Sequence, residues 1–181
     1  RLPVVVKPVS EGSSFGITIV RQEEELLPAI QAAWDLDAEI IVEAFLMGRE
    51  VTCGVIGNDV LEPLPLIEII PSDKYSFFDY EAKYLPGASQ EICPADLDED
   101  STRLIQEMAI TAHHALCLKG YSRSDFILTQ DGPFILETNT VPGMTENSLL
   151  PLAAMHAGLD FPALASRLVD LALESKSTNT P

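Results

Sequence analysis

Residues 120–148 read GYSRSDFILTQDGPFILETNTVPGMTENS, and the rest of the chain is organised around them. Residues 121–129 alternate, Gln130-Asp131-Gly132 breaks the alternation, and residues 133–139 alternate again, the mark of a β-hairpin. A three-residue loop with Gly132 left-handed would set Thr129 against Pro133. Counting back in that register, Asp125 faces Glu137 and Arg123 faces Asn139, each pair a few ångströms apart on one face. A two-residue turn would lose the alignment. Two facing carboxylates need a cation between them or a proton on one of them. Asp, Glu and Asn oxygens are what a hard cation such as Mg²⁺ takes, usually in company with phosphates. Arg123 on the same face would hold an anion that the metal also touches. The competing reading is a solvated polar face with ordinary salt bridges. The turn-rich run at 140–148 shifts the balance, because such runs offer backbone N–H groups to anions.

The chain has 181 residues, a length for one or two domains with a sizeable core. Its formal net charge of −17 argues against nucleic acid or an anionic membrane as a general partner. ATP could still bind at a locally basic site with a metal, and Lys7, Arg49, Lys74, Lys83 and Arg123 stand close to the unusual loops. Cys53, Cys93 and Cys117 have no CxxC spacing and read as reduced, partly buried thiols of a cytoplasmic protein. His113-His114 falls mid-helix and His156 in a later helix, with no HExxH pattern, so they read as surface or core histidines. No stretch reaches the length of a membrane span, and no signal peptide is visible. The opening at Arg1-Leu2-Pro3, directly before an apolar strand, reads as the interior of a longer protein whose N-terminal part is absent.

Residues 3–7 (PVVVK) form a short buried-type strand ending in a lysine. A Gly/Ser loop at 8–16 leads to a strand at 17–20. Such a loop either wraps a phosphate or is a plain hairpin connection, and it is not a Walker A loop. Residues 23–36 predict an amphipathic helix whose core stripe includes Trp34, with Pro28 fitting only the first turn or a kink. Residues 39–46 read as a strand, and 49–57 and 60–70 as two further strands turned at Asn58-Asp59. Glu43 and Glu50 interrupt these apolar runs, as acceptors for an adenine amino group and a ribose or as strand edges facing water. Residues 71–94 lack periodicity but hold Tyr75, Phe77, Phe78, Tyr80 and Tyr84, the composition of a lid or binding loop. Residues 97–117 predict a long helix with Leu104, Ile105, Met108, Ala109, Ala112, Ala115 and Leu116 inward. Two short helices at 149–157 and 161–174 follow, then a frayed tail at 176–181.

Five segments in order, VVVKPVSEGSSFGI, EAFLMGREVTCGVIG, YEAKY, GYSRSDF and LETNTVPGMTENS, resemble the C-terminal portion of the D-alanine–D-alanine ligases of the ATP-grasp superfamily. The resemblance implies an α+β, ATP-grasp fold: part of the central subdomain over 1–46 (phosphate loop 8–16, adenine hinge 43–46) and the C-terminal subdomain over 47–175 (ω-loop 71–94). Its sheets would be mostly antiparallel, with covering helices. It implies that Lys7 and Lys83 meet ATP phosphates and that Ser13 and Ser14 lie in the phosphate loop, Ser13 also linked to the substrate end through Tyr84. Glu43 with the backbone of Ala44, Phe45 and Leu46 would hold adenine, and Glu50 the ribose. Asp125, Glu137 and Asn139 would bind two Mg²⁺ ions, with Mn²⁺ as a substitute. Arg123 and the Gly143 amide would stabilise a tetrahedral intermediate, while Ser148 and the Leu149 amide would hold the carboxylate of a second D-alanine. The implied activity is ligation of two D-alanines through an acyl phosphate, for peptidoglycan precursors, in the cytoplasm. Tyr84 points to a dipeptide rather than a depsipeptide product. Alternatives are another ATP-grasp carboxylate–amine ligase or an inactive nucleotide-binding fragment. Lacking the family's N-terminal domain, the fragment alone is expected to be inactive, the full-length protein a homodimer, and the sheet beginning at Pro3 to leave an apolar face exposed.

Overall fold

The computed structural model describes residues 1–12, 14–71 and 89–177. Ser13, Lys83, Tyr84 and nearly all of the expected ω-loop therefore lie outside the described residues. The chain divides into two compact units. Arg1–Met47 with Ile70–Gln90 forms the first, and Gly48–Ile69 with the residues from Glu91 onward forms the second.

The first unit is a three-stranded antiparallel sheet, β1 (Val4–Pro8), β2 (Thr18–Val20) and β3 (Ile40–Ala44), in the order β2-β1-β3. Helix α1 (Glu23–Trp34) covers one face. Glu25 starts it, its carboxylate accepting from the backbone N–H groups of Arg21 and Gln22, which holds its pKa below the usual value. Val6, Val20, Ala29 and Ala33 form the core of this unit. Trp34 is not part of it: the ring is 54% exposed, as Leu27 is more so, and the buried stripe consists of the small residues Ala29 and Ala33. Pro28 sits in the second turn, which excludes the first-turn position and leaves the kink of the two alternatives. Ile41 and Val42 of β3, neighbours that point to opposite faces of the sheet, are 40% and 48% exposed.

The second unit is built on a sheet in the order β7-β6-β4-β8-β9, with β5 also paired to β4. Its strands are β4 (Arg49–Gly57), β5 (Leu61–Pro63), β6 (Ile67–Pro71), β7 (Ser89–Ile92), β8 (Gly120–Thr129) and β9 (Gly132–Asn139). The single strand expected at 60–70 is thus two, because Pro65 interrupts the ladder and the Leu64 N–H turns to the Gly54 carbonyl. Residues 89–92, expected to be loop, pair instead as β7. Helix α2 (Glu99–Ala115) is capped by Asp98, which accepts from the Ser101 N–H at 2.8 Å. Ile105 and Ala109 join Val51, Cys53, Val55, Leu66 and Phe126 in the core. Leu104, Ala115 and Leu116 are exposed, so the inner stripe is narrower than expected and is completed by the fully buried His113. Cys53 is buried and Cys93 half-buried, but Cys117 is exposed, at odds with the reading of all three as partly buried. Helices α3 (Leu149–His156) and α4 (Phe161–Ser177) complete the unit, the second longer than expected. Any side chain at Gly54 would meet the Leu150 side chain at 2.6 Å, so the glycine is what lets α3 lie on β4. No single helix among the described residues is long and apolar enough to cross a membrane.

Candidate functional site

The hairpin of β8 and β9 aligns Arg123 with Asn139 and Asp125 with Glu137, the pairs expected from the sequence, but by another route. Its turn is two residues, Gln130-Asp131, with Thr129 opposite Gly132 and Leu128 opposite Pro133. Gly132 takes a positive φ of 115°, open to it because it lacks a Cβ. A β-bulge then inserts one extra residue, Leu136, between the partners of Phe126 and Asp125. The bulge restores the alignment that a two-residue turn alone would lose. The turn alone sets Ile135 opposite the core residue Phe126, and the bulge puts Glu137 opposite Asp125.

The outcome is a polar cluster in a sheet otherwise apolar at its centre. Arg123 grips Asp125 with two bonds, Nε to Oδ1 at 2.9 Å and Nη2 to Oδ2 at 2.8 Å. Thr52, directly across from Asp125 on β4, donates to Oδ1 at 2.6 Å. Asn139 Nδ2 donates to Asp125 Oδ2 at 3.1 Å and to Glu137 Oε1 at 3.3 Å. Burial pulls the Arg123 pKa down, but the carboxylate of Asp125, with the charges of Glu137 and Glu50, outweighs it, so the guanidinium is held more firmly charged than usual. Glu50 therefore bears on the Arg123 cluster through its charge. On the opposite face of β8, Ser124 bonds Thr138 at 2.8 Å and Ser122 bonds His113 Nδ1 at 2.8 Å, tying the hairpin to β9 and α2.

The donor set suits a divalent cation. Asp125 and Glu137 supply carboxylates, and the Asn139 amide lies within hydrogen-bonding distance of an oxygen of each. Turned over, it would present its carbonyl oxygen there instead, a change of orientation that the hydrogen-bond network decides. Among the described residues no three His, Cys, Asp or Glu side chains gather as a metal site, so the amide oxygen is needed to complete one. The residues fit such an ion, with Arg123 as the competing cation on Asp125.

In the loop before α3, Ser148 takes the N-cap position with extended backbone, yet its hydroxyl does not cap the helix. It turns back to Thr145, accepting the Thr145 N–H at 3.1 Å and bonding the Thr145 hydroxyl at 2.9 Å. Helix geometry leaves the first-turn amides of Leu149 and Leu150 without an intrahelical acceptor, and Pro151 carries none. A Cβ at Gly143 would lie 2.9 Å from Ser148 Oγ, which places Gly143, Thr145 and Ser148 together.

In the first unit Lys7 and Glu43 form an ion pair at 2.7 Å across β1 and β3. A partly exposed pair of this kind is worth about 0–1 kcal/mol, weak enough for a phosphate to displace Glu43. The Phe45 N–H donates to the Pro3 carbonyl at 3.2 Å, so it is engaged within the hinge. The Arg21 guanidinium lies over the Phe45 ring, 5.5 Å from its centroid. Ser14 and Gly16 of the loop at 8–16 take positive φ of 59° and 76°. Asp37 anchors that loop by accepting from the Ser10 N–H at 2.6 Å, which lowers its pKa. Thr52, Thr145, Asp37 and Arg21 escape a reading of the sequence. Thr52 left the clearest trace, as a lone hydroxyl in the run VTCGVIG.

Residues 1–170 match the family model described as D-ala D-ala ligase C-terminus. The chain is 57% identical over 173 residues to the D-alanine–D-alanine ligase of Syntrophobacter fumaroxidans, covering 96% of this chain and 56% of that protein. It is 57% identical over 175 residues to the ligase of Desulfotalea psychrophila, covering 96% and 54%. Among solved structures, the VanG D-Ala:D-Ser ligase of Enterococcus faecalis superposes with a TM-score of 0.82 at 39% identity, over 94% of this chain and 50% of that one. The D-alanine–D-alanine ligase of Bacillus anthracis complexed with ATP gives 0.83 at 27% identity, over 99% and 55%. The chain thus spans about half the length of the relatives it matches. Its two antiparallel sheets and covering helices are those of the ATP-grasp fold. By its sequence over 170 residues and by its fold, the chain belongs to the D-alanine–D-alanine ligase family, to the part described as that ligase's C-terminus.

Proposed function

We propose that the protein containing this chain ligates two D-alanines to D-alanyl-D-alanine at the expense of ATP, in the cytoplasm, for peptidoglycan precursors. The observation that carries the reading is the cluster of Arg123, Asp125, Glu137 and Asn139, held in one register in a chain of this family. The carboxylate of the first D-alanine attacks the γ-phosphorus of ATP, giving an acyl phosphate and ADP. The amine of the second D-alanine attacks the acyl carbon, and phosphate leaves. Lys7, Ser13, Ser14 and Lys83 meet the ATP phosphates; Glu43 with Ala44, Phe45 and Leu46 holds adenine, and Glu50 the ribose. Asp125, Glu137 and Asn139 hold Mg²⁺, which when bound neutralises phosphate charge. Arg123 and the Gly143 amide stabilise the oxyanion of the tetrahedral intermediate, each such donor being worth about 3–4 kcal/mol. Ser148 and the Leu149 amide hold the second carboxylate, and Tyr84 with Ser13 closes the substrate end. The protein works as a homodimer.

The test is ADP release with D-alanine in the full-length protein, with dipeptide identified as product. Arg123→Ala is expected to lose about a thousandfold in kcat/KM. No ADP release with D-alanine would overturn the reading. Because a D-Ala:D-Ser ligase is among the structural neighbours, D-serine belongs in the same assay. Preference for D-serine as acceptor would keep the chemistry and change the product.

A further inference from the structure

From Val51 to Gly57 every residue of β4 is buried, and Thr52 is the one hydroxyl among them, 2% exposed. A buried hydroxyl is costly unless bonded. Thr52 Oγ1 lies 2.6 Å from Asp125 Oδ1 and 3.2 Å from the Ser124 carbonyl. Its single proton goes to the shorter bond and the charged acceptor. Asp125 then has both oxygens occupied: Oδ1 by Thr52 and Arg123 Nε, Oδ2 by Arg123 Nη2 and Asn139.

These donors differ in freedom. Arg123 and Asn139 hang on rotatable side chains that reach partial exposure. Thr52 is β-branched, stiff at χ1 and enclosed by the sheet, so it cannot withdraw. When Arg123 turns to an anion and Asn139 turns its amide, Thr52 is the donor left on Asp125. We propose that Thr52 is a positioning residue: it pins Asp125 Oδ1 to β4, so that Oδ2, the oxygen beside Asn139, is the one offered to a divalent cation. The inference rests on the reading of Asp125 as a cation ligand. Hydrogen bonds to ligating carboxylates fix their orientation, and losing one weakens metal affinity or activity.

The test is a Mn²⁺ titration of the protein, read from the electron paramagnetic resonance signal of free Mn²⁺, with no substrate present. Thr52→Val keeps the shape and removes the proton; Thr52→Ser keeps the proton. The expected result is Mn²⁺ binding about tenfold weaker in Thr52→Val and restored to within about twofold in Thr52→Ser. Should Thr52→Val not fold, Thr52→Ala takes its place with the same expectation. Wild-type affinity in Thr52→Val, with binding lost in Asp125→Ala, would overturn the positioning role alone. Wild-type affinity in Asp125→Ala, or no Mn²⁺ uptake by the wild-type protein, would overturn the ligand reading and this inference with it.

Discussion

Gly143 does not sit in the left-handed region of backbone space, so its lack of a side chain has a different reason. An added methyl would lie 2.9 Å from Ser148 Oγ, closer than real contacts allow. Ser148 would have to leave Thr145, and the proposed carboxylate site would lose its donor. Gly143→Ala is therefore expected to raise KM for the second D-alanine by about tenfold to a hundredfold, with KM for ATP little changed. Steady-state kinetics at varied D-alanine checks it. Behind the site, His113 is fully buried with Nδ1 on Ser122 and Nε2 without a partner among the described residues. Burial first, then the neighbouring charges of His114 and Lys119, lowers its pKa below the ordinary 6.5. A histidine depressed in this way binds a proton more readily unfolded than folded. Its contribution to stability is complete above 6.5 and is lost as pH falls through that value toward the folded pKa. Urea unfolding at a series of pH values from 8 to 5 is expected to show that decline, and His113→Gln to flatten it. An equal decline in the variant would assign the effect to other groups. Little of this was legible in the sequence, because a buried histidine and a surface histidine have the same letter, and only the fold puts Ser122 opposite.

At the scale of elements, the hairpin was the most legible part of the chain. Alternation and the Gln130-Asp131-Gly132 break located both strands, and the facing pairs followed. The turn was misread because two errors cancel: the loop is one residue shorter than expected, and the bulge at Leu136 supplies the missing one. The consecutive apolar residues Phe134, Ile135 and Leu136 break strict alternation and were the trace of that bulge. Strand ends and the break at Pro65 were hard to see for a similar reason, since an apolar run does not record where its ladder stops. In α1 the hydrophobic pattern overstated the core, because on a sheet of three short strands only the alanines come close enough to be buried. The bulge account makes a sharp prediction. Deleting Leu136 leaves the two-residue turn intact and lets Glu137 follow Ile135 in a regular ladder, so Asp125 still faces Glu137 and Arg123 still faces Asn139. Mn²⁺ affinity is expected to stay within about threefold of the wild-type value, while β8 and β4 stay paired. A loss of about a hundredfold in that deletion would mean that Leu136 is not the unpaired residue of the bulge.

The two units of the whole molecule differ in how much core they own. The first has a core cluster of four buried residues, Val6, Val20, Ala29 and Ala33, two of them alanine. The second buries Val51, Cys53, Val55, Leu66, Ile105, Ala109 and Phe126 in one cluster, with Leu150, Leu164 and Leu171 also buried. Each buried Val, Leu, Ile or Phe contributes about 1.5–3 kcal/mol, so the second unit has several times the apolar stabilisation. Local opening follows that difference, because protection from hydrogen exchange tracks the free energy of the smallest cooperative unit that must open. The amides of β1 and β3 are expected to exchange at denaturant concentrations where those of β4 and β8 remain protected. Cys53 offers an independent reading of the second unit. Its thiol is fully buried and pushed by burial to about 12, so alkylation requires that unit to open, whereas the exposed Cys117 needs no opening. In a denaturant series, exchange in β1 and β3 should come first and Cys53 labelling should coincide with exchange in β4. Simultaneous loss of protection throughout would mean that the two cores unfold as one, and the difference in their sizes would then have no bearing on how the chain opens.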